Sequence, residues 1–195
     1  PATGAPAGSV EIAPDGSKIL INETGPGGGP DYGIYLRPTD GGPPLRLGAG
    51  RATALSADGR GVFSIPIRDR DRIEVLPVGP GQAQTLTDPE IVAYEWAFAF
   101  PDGARVLFVG RDRAGAVRLY VRPLAGGSPA RPIAPENVRA QKFSPISPDG
   151  RFVAARCPEF DYCLYPVDGG EVRPIPGVAG LRPVAWESGG RFLIM

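Results

Sequence analysis

A short turn signal recurs along the chain at nearly constant spacing. Asp-Gly pairs lie 43, 44 and 47 residues apart, and a Gly-Gly pair follows 40 residues after the last of them. The five pairs are Asp15-Gly16, Asp58-Gly59, Asp102-Gly103, Asp149-Gly150 and Gly189-Gly190. Asp-Gly between apolar runs favours a tight hairpin, because glycine adopts positive φ and aspartate caps its own backbone. With a polar loop and two further apolar runs in each period, the pattern predicts four strands per repeat.

The composition supports an all-β chain. There are 28 Gly and 24 Pro among the 195 residues, and both residue types disfavour helix interiors. Disorder is not indicated, since 42% of the residues are hydrophobic and the formal net charge is zero. We therefore expect a folded chain with many turns and no long helix.

Burial patterns within the repeats predict how the strands are layered. The second strands are continuously apolar, which is typical of strands buried on both faces: Ile19-Leu20-Ile21, Val106-Leu107-Phe108-Val109, Phe152-Val153-Ala154-Ala155 and Phe192-Leu193-Ile194. Fourth strands such as Arg131-Pro132-Ile133 and Arg173-Pro174-Ile175 carry proline, which belongs at a sheet edge. This arrangement predicts a β-propeller of four-stranded antiparallel blades. A β-sandwich with evenly spaced turns is the alternative.

Counting periods gives about four complete blades and part of a fifth. The predicted blades span approximately residues 8–51, 52–92, 93–140 and 141–180, with a partial blade at 181–195. The apolar second strand of the fifth blade would leave an unpaired edge, which native proteins seldom tolerate. We expect the chain to be part of a larger propeller, or a second copy or another protein to cover that edge.

Two segments carry a resemblance to a known family. They are Ser147-Pro148-Asp149-Gly150-Arg151-Phe152-Val153-Ala154 and Leu119-Tyr120-Val121-Arg122-Pro123-Leu124-Ala125-Gly126-Gly127. They resemble the bacterial TolB-type propeller repeat, which is related to the Trp-Asp (WD40-like) repeat. Residues 163–177 are similar to propeller segments that follow kinase domains in bacterial serine/threonine kinases. The resemblance implies a propeller of usually six blades, a role in protein binding and an extracytoplasmic location. Ala57 and Ser188-Gly189 depart from the repeat, which puts the turn geometry there in question.

Several kinds of chemistry are disfavoured by the sequence. There is no histidine, so a Ser-His-Asp relay cannot form within this chain. Propeller lyases that resemble this repeat use histidine-rich metal sites, and prolyl-oligopeptidase relatives need an attached hydrolase domain. We predict no catalytic residues, no metal and no cofactor. Zero net charge argues against nucleic acid, and the apolar runs are too short to span a membrane.

The candidate site residues fall into two groups. Cys157 and Cys163 flank a five-residue loop between two predicted strands, and they form either a disulfide or two buried thiols. The loops before the first strands, with the start of the predicted strand 94–100, would present a binding set to the mouth of a central channel: Tyr94, Glu95, Arg139, Lys142 and Arg182. The alternative for Tyr94 is packing within the blade, and the alternative for the others is a plain solvated loop. Two further loops, residues 25–30 and 69–72, match neither a phosphate-binding loop nor a calcium loop, and we interpret them as flexible or solvated connections.

The favoured function is a non-catalytic scaffold for protein interaction or sensing, within a larger bacterial protein. Its partner would be another protein, or a second copy of the chain docking on an exposed blade edge. The alternative is a regulatory or gating propeller of a kinase or hydrolase whose catalytic domain lies outside this chain.

Overall fold

The computed structural model describes residues 7–13, 15–138, 146–157, 161–181, 185–187, 189–190 and 193–194. The chain divides into two compact units. Unit 1 comprises residues 1–87 with 97–99, and unit 2 comprises residues 88–96 with 100–195. All regular elements in the described ranges are β-strands, as the sequence predicts.

Unit 1 contains two four-stranded antiparallel sheets, each built from consecutive strands. The first sheet has the strands β1 (Ala7–Ile12), β2 (Lys18–Glu23), β3 (Gly33–Pro38) and β4 (Leu45–Gly48). The second sheet has the strands β5 (Arg51–Leu55), β6 (Gly61–Ile65), β7 (Ile73–Pro77) and β8 (Gln84–Leu86). In both sheets every strand pairs with the next one along the chain.

The strands of unit 2 continue the same order. The third sheet has the strands β9 (Ile91–Ala99), β10 (Arg105–Asp112), β11 (Val117–Pro123) and β12 (Arg131–Pro132). The fourth has β13 (Phe152–Ala155), β14 (Cys163–Pro166) and β15 (Arg173–Pro174), and the fifth has β16 (Ala185–Trp186) and β17 (Leu193–Ile194). The predicted first strand of the fourth repeat falls mostly outside the described residues. Ile146, which is described, forms a bridge to Val153.

Two strand boundaries in the third sheet differ from the prediction. β9 begins at Ile91 instead of Tyr94, so it takes in residues assigned to the preceding loop. The predicted fourth strand from Ala130 to Ala134 shortens to the two residues of β12. Pro129 and Pro132 lack the N–H group that a longer ladder would need.

Burial of the second strands agrees with the prediction in the second, third and fourth sheets, and it does not in the first sheet or at Ile194 of the fifth, which is 50% exposed. β6 is buried along its whole length, and β10 and β13 are buried over most of theirs. In β2 only Leu20 is buried, while Ile19 and Ile21 are half-exposed. Within unit 1 the first sheet packs against the second sheet alone, so one neighbour covers it.

All five predicted turns share one geometry. Their glycines have φ between 66 and 70°, at Gly16, Gly59, Gly103, Gly150 and Gly190. In each turn the glycine N–H donates to the carbonyl three residues earlier, at 2.8 to 3.0 Å. The turns at Ala57 and Gly189 keep this form. Ala57 stands at the proline position, where φ near −65° is open to any residue, and Gly189 stands at the aspartate position, where the turn needs no positive φ. The departures from the repeat therefore leave the fold unchanged.

Two polar side chains link the sheets of unit 1. The Asn22 amide donates to the Ala52 carbonyl at 3.1 Å and accepts the Ala52 N–H at 3.0 Å. Glu11 accepts the Leu55 N–H at 2.7 Å. Burial raises the pKa of the Glu11 carboxyl, and the hydrogen bond from Leu55 opposes that rise. Both links bind backbone groups of β5, which forms an edge of the second sheet.

Candidate functional site

Of the five predicted channel-mouth residues, the structure describes Tyr94 and Glu95. Tyr94 and Glu95 lie within β9, and not in the loop before it. The Tyr94 side chain is only 1% exposed and packs on Phe108, with ring centroids 5.1 Å apart. It is therefore part of the sheet interior, because β9 extends further toward its N-terminus than the apolar pattern indicated. Glu95 is half-buried, and Arg139, Lys142 and Arg182 lie outside the described residues.

Cys157 and Cys163 are joined by a disulfide, with their Cα atoms 5.7 Å apart. Cys163 begins β14 and pairs in register with Ala155 of β13. The bond therefore closes the β13–β14 hairpin beside its ladder. The Tyr165 hydroxyl donates to the Arg156 carbonyl at 3.1 Å next to it, and burial raises the pKa of that phenol.

The connections at the two ends of each sheet come from different positions in the repeat. At one end lie the glycine turns that join first to second and third to fourth strands. At the other end, which we call the long-loop end, lie the connections from second to third strands and from one sheet to the next; in unit 1 these include the long loops 24–32 and 66–72 and the short connection 49–50. The non-glycine residues with positive φ, Tyr32, Arg70 and Asn137, all belong to long-loop connections. Such backbone conformations cost free energy and concentrate where a loop has a functional role.

A pocket of about 230 Å³ lies at the long-loop end of unit 1, between the β2–β3 and β6–β7 loops. We call it the loop pocket. Its lining residues are Asp31, Ala49, Gly50, Pro66, Ile67, Arg68, Asp69, Arg72 and Glu74. Three carboxylates and two guanidinium groups thus surround a small apolar floor.

Ion pairs hold the charged rim of the loop pocket. Arg68 donates through Nε to Asp31 Oδ1 at 2.7 Å, which joins two loops that are 37 residues apart. Arg72 donates to Glu74 at 2.8 Å and to Asp71 at 2.9 Å. The hydrogen bond to Asp31 raises the pKa of Arg68, and the hydrogen bond to Glu74 raises that of Arg72. Both cations thus have an acidic partner in the rim, and arginine is charged at any physiological pH.

The glycine-rich residues 25–30 form a packed loop next to this rim. A β-carbon at Gly28 would lie 2.0 Å from the Glu23 carbonyl oxygen, so only glycine fits there. The Gly25 N–H donates to the Glu23 carboxylate, and the Tyr35 hydroxyl donates to the Gly27 carbonyl. Side chains on the adjacent strands thus contact the backbone of this loop at two points. The loop ends at Asp31, whose carbonyl accepts the Gly50 N–H at 2.8 Å.

The chemistry of the loop pocket suits recognition of a polar partner. Its lining contains no hydroxyl, thiol, amine or imidazole group that could act as a nucleophile. Among the described residues, no cluster of three or more His, Cys, Asp or Glu side chains has the arrangement of a metal site. The same part of the chain contains no helix long and apolar enough to cross a membrane.

Sequence reasoning missed the loop pocket for an identifiable reason. Residues 69–72 alternate acid and base, and that pattern alone indicates a solvated loop. The pairing of Arg68 with Asp31 depends on two loops from different repeats meeting, which no local pattern reports. Glycine at positions 28 and 33 was the available signal for close packing: a β-carbon at Gly33 would lie 2.6 Å from the Tyr35 ring.

Comparison with solved structures identifies the fold. A TolB from Agrobacterium tumefaciens superposes with a TM-score of 0.66 at 23% identity, over 83% of this chain and 62% of that one. TolB from Acinetobacter baumannii superposes with a TM-score of 0.65 at 20% identity, over 86% of this chain and 43% of that one. Oligogalacturonate lyase from Vibrio parahaemolyticus superposes with a TM-score of 0.64 at 16% identity, over 84% of this chain and 50% of that one. No family model and no curated protein sequence matches the chain.

The chain thus has the fold of a TolB-type β-propeller, and its sheets are the blades of a partial propeller. It spans less than two thirds of the length of each of these three proteins. Because they include an enzyme beside the TolB proteins, the likeness defines the architecture and leaves activity open.

Proposed function

We propose that this propeller is a non-catalytic scaffold that binds a partner protein, or senses its presence, through the loop pocket. The observation that carries the proposal is the ion pair between Arg68 and Asp31, which links the long loops of two blades into one charged rim. A rim fixed before binding loses little conformational entropy when a partner docks. The loop pocket carries charged groups of both signs, and these favour a partner whose own surface carries both signs.

The residue types present support a binding role. The complete sequence has no histidine, and the lining of the loop pocket has no hydroxyl, thiol, amine or imidazole group. The rigid blades and non-repeating loops suit recognition, since binding residues are often carried on loops held by a stable scaffold.

Site-specific photo-crosslinking tests this proposal. A photo-reactive amino acid replaces Asp69 on the rim, and a matched one replaces Asp40 in the β3–β4 turn at the other end of unit 1. We expect the probe at position 69 to crosslink one partner protein in extracts of the native host, and the probe at position 40 not to do so. The double variant D31A/R68A should abolish that crosslink. Equal crosslinking from both positions, or a crosslink that survives D31A/R68A, would contradict the proposal.

The alternative is a propeller that regulates a kinase or hydrolase domain of the same protein. It is supported by the coverage of the comparison structures, each of which is longer than this chain. The same crosslinking applied to the native gene product separates the two functions: an intramolecular crosslink from position 69 favours regulation, and an intermolecular one favours the scaffold.

An extracytoplasmic location completes the proposal. The disulfide between Cys157 and Cys163 supports it, because such bonds persist mainly in oxidising compartments. Thiol alkylation of the native protein in intact cells tests the location. Two alkylated cysteines would contradict it, and none is expected.

A further inference from the structure

A second concave surface lies in unit 2, and it shares no residue with the loop pocket. It is an open groove of about 550 Å³ between the edge of the third sheet and the turn after β14. We call it the arginine groove. Its lining residues are Arg105, Val121, Arg122, Pro123, Ser128, Pro129, Ala130, Arg131, Pro132 and Asp168. Three cations thus stand around a floor of proline, alanine and valine, with one carboxylate among them.

The three arginines are not a requirement of the repeat. Strand register aligns the positions of Arg105, Arg122 and Arg131 across the four larger sheets. The equivalent residues are Lys18, Arg37 and Leu45 in the first sheet, Gly61, Leu76 and Gln84 in the second, and Phe152, Tyr165 and Arg173 in the fourth. Since the other sheets form without three arginines, packing of a blade does not explain the cluster.

Contacts with the protein hold two of the guanidinium groups in place. Arg105 donates through Nε to Asp102 at 2.7 Å and lies over the Phe100 ring, 4.3 Å from its centroid. Arg131 donates through Nη2 to the Val167 carbonyl at 2.6 Å. Guanidinium groups restrained in this way lose less side-chain entropy when they bind an anion.

A carboxylate of the chain already lies near both groups. Asp168 Oδ1 is 3.6 Å from Arg131 Nη2 and 3.9 Å from Arg105 Nη1. Both distances exceed those of a hydrogen bond, and the Asp168 side chain is 81% exposed. An exposed pair of this length contributes little free energy. Asp168 therefore shows that a carboxylate can lie between Arg105 and Arg131, and it is held there only weakly.

We propose that the arginine groove binds an acidic peptide segment of a partner protein, whose carboxylate takes the place of Asp168 between Arg105 and Arg131. The third cation, Arg122, lines the groove and is only 8% exposed. The apolar floor favours a peptide over a bare anion, because Val121, Pro123 and Pro132 offer contact to aliphatic or proline side chains. Bidentate pairing with guanidinium gives the carboxylate its orientation.

Fluorescence anisotropy with a labelled peptide of alternating proline and glutamate tests the proposal. The R131A variant should weaken binding about tenfold, as expected for the loss of one charge-assisted contact. The D168A variant should strengthen it about threefold, because the competing carboxylate is removed. Effects of opposite sign distinguish a ligand site from a structural ion pair, and Asp168 lies at an exposed turn where truncation does not threaten the fold.

Matched variants in the first sheet serve as controls. Asp40 occupies the position equivalent to Asp168, and Lys18 and Arg37 correspond to Arg105 and Arg122. D40A and K18A/R37A should leave the affinity unchanged. A peptide of alternating proline and lysine should not bind, and added salt should weaken the glutamate peptide. No binding of the glutamate peptide at about 1 mM, unchanged affinity in D168A, or equal competition by inorganic phosphate would overturn the proposal.

Discussion

The glycine at each first-to-second strand turn has φ near 68°, a region where a β-carbon clashes with its own backbone. At Gly59 an added β-carbon would meet no other atom within 4 Å. The requirement for glycine at this turn therefore lies in the backbone conformation alone. That makes Gly59 a site where conformational strain can be measured without a packing contribution.

Replacement of Gly59 tests this directly. Gly59→Ala should lower the free energy of unfolding by about 1–2 kcal/mol. Gly59→Asn should lower it less, since asparagine tolerates the left-handed region. Urea denaturation measures both, with Gly27→Ala as a control because Gly27 lies outside the positive-φ region and its added β-carbon would make only an ordinary contact, 3.6 Å from the Glu23 side chain. A Gly59→Ala variant as stable as the parent would refute the assigned turn geometry.

The aspartates of these turns connect stability to pH. The Ser56 hydroxyl and the Arg60 N–H both donate to the Asp58 carboxylate. These hydrogen bonds lower the pKa of the carboxyl, and the bond from Ser56 has the larger effect. A carboxyl whose pKa is lower in the folded state contributes stability above its unfolded pKa, near 3.9, and loses it as the pH falls through the folded value.

The D58N variant isolates that contribution. We expect it to be less stable than the parent at pH 7, and the difference should shrink as the pH falls from about 4 to about 2. Urea denaturation at a series of pH values provides the measurement, and S56A should give a weaker form of the same trend. A stability difference that does not change with pH would argue against the hydrogen-bonded carboxylate.

At the scale of single elements, Asn22 shows how one blade is joined to the next. Its amide satisfies both backbone groups of Ala52 on the outer side of β5. β5 also carries an irregularity in its pairing with β6 between Ala52 and Ala54. A polar backbone group at such a position needs a partner from outside its own sheet.

Removal of this link has a local and a global consequence. N22A leaves both Ala52 groups without their partner and should lower the free energy of unfolding by about 2 kcal/mol. N22D keeps an acceptor for the Ala52 N–H and loses the donor to its carbonyl. Amide hydrogen exchange at Ala52 should therefore accelerate in N22A and much less in N22D. Equal protection of Ala52 in both variants would show that the link contributes nothing there.

The disulfide acts on the β13–β14 hairpin. The bond closes a short loop, for which the chain-entropy relation gives about 2 kcal/mol. Replacing both cysteines by serine, C157S/C163S, should lower the free energy of unfolding by that amount. Thiol titration under denaturing conditions should find no free thiol before reduction and two after it. Two thiols without reduction would exclude the bond.

At the scale of the whole molecule, the repeat pattern of the sequence predicted the fold, whereas the sequence of the loops did not predict the loop pocket. The turns at Asp15, Asp58, Asp102 and Asp149 use local chemistry, so their period could be read along the chain and four strands assigned to each repeat. The prediction confirmed by comparison is the TolB-type propeller. Even Gly189, which breaks the motif, keeps the turn, since Glu187 supplies the carboxylate that accepts the Gly189 N–H.

The features that differ from the prediction depend on contacts between distant residues. The ion pair of Arg68 with Asp31 and the hydrogen bond of Arg131 to the Val167 carbonyl each join residues of separate repeats. The prediction begins this strand at Tyr94 and places that residue at the channel mouth, whereas β9 begins at Ile91 and buries the Tyr94 side chain. Local turn chemistry thus specifies the blades, and long-range pairing of loop side chains specifies their surfaces.

The central claim is that each repeat folds into its own antiparallel sheet. Cross-strand nuclear Overhauser effects between backbone protons test it most directly. The account predicts contacts at one repeated register, joining Leu20 to Leu36, Phe63 to Val75, Leu107 to Val121 and Ala154 to Leu164. Contacts that instead pair the second strand of one repeat with a strand of another, as in a two-layer sandwich, would contradict it.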